Sequence, residues 1–134
     1  MSWNVLKLTL IYSAALLLPS CGTGQQLVSI NVTPATVVFG SPDPALNAQL
    51  TAIGVYTHPP ATKDITNQVT WTSSIAGVAV VNSSGRISPA GTDCGVTGIT
   101  ASFKTNNPTG NVITGTMNVT VDNPAVKGCP TTPL

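Results

Sequence analysis

Residues 67–88, NQVTWTSSIAGVAVVNSSGRIS, decide the fold. Val69 and Trp71 alternate with Thr70 and Thr72, the two-residue period of a strand with one face inward. The apolar run 78–81 reads as a further short strand. Asn82-Ser-Ser-Gly85 reads as a tight turn into another, residues 86–88. Trp71 is the one tryptophan outside the first 20 residues. It is read as a core anchor on the central strand of a small β-sandwich, within a longer strand of residues 64–72 that alternates Ile65, Asn67, Val69 and Trp71.

The same period extends in both directions. Residues 27–33, LVSINVT, place Val28, Ile30 and Val32 on one face, and after Pro34 a second piece resumes at residues 36–39. Residues 46–56 carry Leu50, Ala52, Gly54 and Tyr56 on one side, and residues 58–63 read as a loop. Residues 96–104 carry Thr97, Ile99, Ala101 and Phe103. Residues 105–110 read as a loop, and residues 111–121 as the closing strand. No window outside the leader sustains a helical period over three turns. Many short strands separated by Gly, Pro, Asn and Asp clusters point to a sandwich or a barrel, and the sandwich is taken as the fold: all-β, of about seven strands.

Composition agrees. Charged residues make up 7% of the 134, against roughly 25% in an average soluble domain. Glutamate is absent, and the acids are Asp43, Asp64, Asp93 and Asp122. Solubility therefore rests on Thr, Ser, Asn and Gln, which suits strands. A formal charge of +1, with no basic stripe, supplies no field for nucleic acid. No zinc or redox cysteine motif occurs and no cofactor is expected; with no Glu and no second His, neither a triad nor a carboxylate pair assembles, so the expectation is a non-enzymatic protein.

Residues 1–20 carry one cation, Lys7, and then an apolar run, residues 8–18. That run is too short to cross roughly 30 Å of hydrocarbon as a helix. It has the form of a secretory signal. Leu18-Pro-Ser-Cys21-Gly22 resembles the lipobox of bacterial lipoproteins, with Pro19 as its departure. The resemblance implies cleavage of residues 1–20 as signal peptide, diacylglyceryl attachment at Cys21, and a short lipidated tether, residues 21–26. Acyl chains, at roughly 0.8 kcal/mol per buried methylene, would hold the protein on the cell envelope. Gly22 points to the outer membrane. The alternative is an ordinary signal peptide with a cysteine near its end. Setting Cys21 aside leaves Cys94 and Cys129, an even pair in an exported chain. This is the setting of a disulfide, with two free thiols as the alternative. The C-terminal tail, residues 124–134, would be closed by that bridge.

Val28-Ser-Ile-Asn-Val-Thr-Pro34, Leu50-Thr-Ala52, Val69-Thr-Trp-Thr-Ser-Ser74, Asn82-Ser-Ser-Gly85, Gly91-Thr92 and Ile99-Thr-Ala101 occur in that order. The ordered set resembles the group 2 bacterial immunoglobulin-like domain of intimin- and invasin-type adhesins, over residues 27–123. Asp93-Cys94-Gly95 stands as an insertion relative to that pattern. The resemblance implies an Ig-like sandwich and an envelope setting with a structural or adhesion role. It supplies no ligand; a protein or glycan at the cell surface is the class left open. Two other roles remain. One is a subunit of an envelope complex for secretion or polysaccharide uptake, bound by strand addition. The other is a carbohydrate-binding accessory module, for which the remaining aromatics of the mature chain, Phe39, Tyr56 and Phe103, are too few to form a stacking platform.

The sandwich topology sorts the charges. Asp43, Asp93 and Asp122 fall at one pole, where they are either a calcium set or turn residues. Lys63, Asp64, Arg86 and Lys104 fall near the opposite pole, beside the tether, where the cations would face anionic headgroups. His58, between strands and beside two prolines, is read as solvated.

Overall fold

The computed structural model describes residues 24–129. The signal segment 1–20, Cys21 and the last five residues lie outside them. Alternation makes each strand two-faced, and the chain buries its apolar faces between two layers. The strands are β1 (Gln26–Thr33), β2 (Thr36–Phe39), β3 (Ala48–Gln49), β4 (Thr51–Thr57), β5 (Ala61–Asp64), β6 (Thr70–Ser73), β7 (Ala79–Val81), β8 (Arg86–Pro89), β9 (Gly95–Lys104) and β10 (Val112–Val121). Among the described residues there is no helix.

One layer runs β2-β10-β9-β6, with β2 parallel to β10 and the other pairs antiparallel. The other layer is built on β3 and β4, which form one long strand broken only at Leu50. β3 pairs with β8, which pairs with β7, while β4 pairs with β1 and β5. The Leu50 amide donates to Gly85 O at 2.8 Å, so the ladder runs on through the break. Counting β3–β4 once, the layers are β1, β3–β4, β8, β7 against β6, β9, β10. This is the ABED and CFG arrangement of a seven-stranded Ig-like sandwich, and β2 and β5 are additions to it. The core between the layers includes Leu50, Ile65, Ile87, Ile99, Val119 and Val121, all nearly or wholly excluded from solvent.

Four expectations are corrected. Val28 does not share a face with Ile30 and Val32. A register shift between Leu27 and Ser29 reverses the alternation, so Leu27 and Ile30 point inward and Val28 is 47% exposed. Residues 64–72 are not one strand. The Gln68 and Val69 amides both donate to Ile65 O, a single helical turn that carries the chain from β5 in one layer to β6 in the other. Asn67 is exposed on that turn, and Ile65 and Val69 are buried by four-residue spacing. β6 is not central but an edge, paired only with β9 among the described residues. Residues 61–63 belong to β5, so the His58 loop is a tight turn and not a long connection.

Thr66 sits where the long β3–β4 strand exchanges β5 for β8 as its neighbour. Its Oγ1 accepts the Ala52 amide at 2.9 Å, filling the place of a missing ladder bond. Oγ1 also donates to Asp64 Oδ1 at 2.6 Å, and the Thr66 amide donates to the same oxygen at 2.9 Å. From the opposite layer, Trp71 Nε1 donates to Thr66 O at 2.9 Å. Gly85, at φ 79°, closes this node: a Cβ there would lie 2.9 Å from Leu50 O and 3.1 Å from both Thr66 and the Trp71 ring. β1 crosses close to β10 at Gly115, where a Cβ would collide with Ile30 O.

Candidate functional site

Trp71, 8% exposed and hydrogen-bonded to Thr66, is a core residue and presents no stacking face. Cys94 and Cys129 are joined as a disulfide, with 5.7 Å between their Cα atoms. The segment after β10 turns back through bonds from the Val126 amide to Asn123 O and from the Cys129 amide to Val126 O. The bridge then ties it to the connection before β9. Cys21 lies outside the described residues.

The aspartates do not assemble into a ligand set. Asp43 Oδ1 caps the Ala45 amide at 2.8 Å, an Asx turn. The Asp93 carboxylate lies against Gly77, and its amide donates to Gly77 O at 3.1 Å. Asp122 donates its amide to Phe39 O at 2.8 Å, and its buried Oδ1 has no partner among the described residues. Among those residues no three His, Cys, Asp or Glu side chains are grouped to hold a metal. Asp64 is held below the usual aspartate range, first by the Thr66 hydroxyl and then by the Thr66 amide.

The opposite pole gathers more chemistry. β1 begins beside the end of β4, with Gln26 opposite Thr57. The turn at His58, which has φ 57°, and the loop 105–111 flank that entry point. Lys63 and Lys104 lie here as expected, but Arg86 does not. It sits opposite Gln49, at the other end of the long strand, and its Nη2 donates to Asn47 Oδ1 at 2.6 Å. The Lys63 ammonium lies 4.9 Å from the Tyr56 ring centroid and donates to the Gln25 side-chain oxygen. Gln25 Nε2 in turn donates to Pro59 O at 3.0 Å, pinning the entering chain to the hairpin.

Between the layers at this pole opens a cleft of about 710 Å³. Its apolar floor is Leu27, Tyr56, Phe103 and Ile113, the last inward residues of four strands; Tyr56, Phe103 and Ile113 are only half-buried. Its rim is Gln25, Gln26, Thr105, Asn106, Asn107 and Asn111. The rim is folded by its own bonds: Asn107 Oδ1 accepts Thr105 Oγ1 and Thr109 Oγ1, each at 3.0 Å, and the Thr105 amide donates to Asn111 O at 2.9 Å. Sequence reading missed the cleft. Tyr56 and Phe103 were each legible as inward-facing, but their convergence at the open end of the sandwich depends on which strands oppose each other.

No family model matches this chain, and a search of curated proteins finds no match.

Proposed function

We propose that the protein is a non-enzymatic, lipid-anchored Ig-like module of the bacterial cell envelope, with a structural or adhesive role and an outer-membrane address. The reading takes the domain to be of the group 2 bacterial Ig-like type found in intimin and invasin. The observation that carries it is one of distance. The cysteine of the lipobox-like segment stands five residues before Gln26, where β1 begins. An acyl anchor at Cys21 would therefore hold the cleft pole close to the bilayer and the disulfide pole away from it. A disulfide in an exported domain supports the same address. The scarcity of acids and the solvent-exposed His58, the sole histidine, support a binding or structural role over catalysis.

The test is metabolic labelling with radioactive palmitate, followed by membrane fractionation. The native protein should take the label and sediment with membranes, and Cys21→Ser should lose both. Label retained by Cys21→Ser, or a soluble native protein, would sink the proposal.

A second reading, a subunit bound by strand addition, is favoured by β6. Among the described residues it is an edge with one partner, and it contains neither charge nor proline within Thr70–Ser73. Backbone-directed crosslinks from position 72 to another envelope protein would support it. Crosslinks confined to this chain would not.

A further inference from the structure

We propose that the cleft at the tether pole binds a neutral glycan chain through Tyr56 and Phe103 below and the asparagine rim above. The inference deepens the binding role proposed above and rests on it.

A pyranose presents two kinds of surface, C–H faces that pack on aromatic or aliphatic carbon and a girdle of hydroxyls. Each hydroxyl both donates and accepts, and a side-chain amide offers an acceptor oxygen and two donor hydrogens in one group. The cleft supplies this combination. Tyr56 and Phe103 stand half-buried at its floor with Leu27 and Ile113. Among the described residues, the side-chain amides of Gln26, Asn106 and Asn111 have no protein partner and line the rim. Its volume falls within the roughly 300–1,000 Å³ of small-ligand pockets.

Charge selects among ligands. Among the described residues, no Asp, Glu, Lys, Arg or His lines the cleft. Of the two cations at this pole, Lys63 is already engaged with Gln25 and the Tyr56 ring, and Lys104 is not among the residues that line the cleft. A phosphate or uronate would therefore find no counter-charge among the residues that line the cleft. A fatty chain would leave the rim amides unpaired, at about 1–3 kcal/mol for each one desolvated. Preorganisation favours a rigid sugar site as well. Asn107 holds the loop 105–111 in shape before any ligand arrives, and the Gln25–Pro59 bond does the same for the entering chain.

The experiment titrates the purified full-length protein in detergent with hexasaccharides of β-1,4-glucan, α-1,4-glucan and β-1,4-xylan, and with a hexasaccharide of α-1,4-galacturonan as the uronic-acid control. Saturation-transfer NMR and calorimetry give the readout. In a separate arm, vesicles carry a neutral glycolipid. At least one neutral probe should bind with a Kd on the order of 1 mM or tighter. Phe103→Ala and Asn111→Ala should each weaken it about tenfold, while Val80→Ala, exposed on β7 and away from the cleft, should not. Asn106→Ala, on an exposed loop, repeats the test where folding is not at stake. Binding to the glycolipid alone would assign the glycan to a lipid headgroup; binding to free oligosaccharide would assign it to a polysaccharide. Either supports the proposal. No binding in any arm would overturn it, as would indifference to all three cleft variants or stronger binding of a uronic-acid oligomer. Palmitate labelling at Cys21 reads the anchored-module proposal independently, so failure here leaves that reading standing.

Discussion

Thr66 offers the sharpest perturbation of the fold. Its hydroxyl stands in for a strand at the point where the long β3–β4 strand changes neighbours, and Thr66→Val removes the hydroxyl while keeping the shape. Ala52 is wholly buried, and its amide has Thr66 Oγ1 as its acceptor at 2.9 Å. Valine would leave that donor unsatisfied in the core, which costs about 1–3 kcal/mol. For a domain of this size each kcal/mol lowers Tm by roughly 4–8 °C, so the expected fall is about 5–20 °C. Thr66→Ser keeps the hydroxyl and should recover most of the loss. The assay is thermal unfolding by circular dichroism, with urea unfolding to check that the m-value is unchanged. A valine variant as stable as the native protein would refute the bridging role. So would a serine variant as unstable as the valine one.

Three further outcomes follow from the same structure. Gly115→Ala drives a methyl into the Ile30 carbonyl, and because the obstacle is backbone the variant should lose about 2–3 kcal/mol in urea unfolding. The double variant Cys94→Ala and Cys129→Ala should lose about 2–4 kcal/mol by the same assay, since the unfolded chain is no longer constrained. Asp64 is held below the usual aspartate range by Thr66, so its stabilising effect is complete above that range and is lost as pH falls from it through the lower native value. Thermal melts across acidic pH should show a steeper acid loss for the native protein than for Asp64→Asn.

Much of the layer structure was legible because burial and period coincide. Leu50, Ala52, Ile99 and Ala101 alternate cleanly, and each is wholly buried. The pattern misled where a local event resets it. The shift between Leu27 and Ser29 put Val28 outside, and nothing in LVSINVT marks an added residue. In residues 64–72, Ile65, Val69 and Trp71 fit a two-residue period as well as they fit a turn followed by a strand. Only pairing partners distinguish the two. Trp71 suggested a central strand because it is buried, yet an inward side chain on an edge strand is buried too when the facing layer covers it. The disulfide was legible from parity. The cleft was not, because its floor comes from strands in both layers and its rim from residues that read as ordinary loop.

The intact mass of the protein from purified membranes, with and without reductant, tests the account most directly. The account predicts the mass of residues 21–134 plus diacylglyceryl and acyl groups, rising on reduction by the two hydrogens of one disulfide. A mass without lipid would contradict the anchor and leave a freely exported Ig-like domain. A mass unmoved by reductant would contradict the Cys94–Cys129 closure.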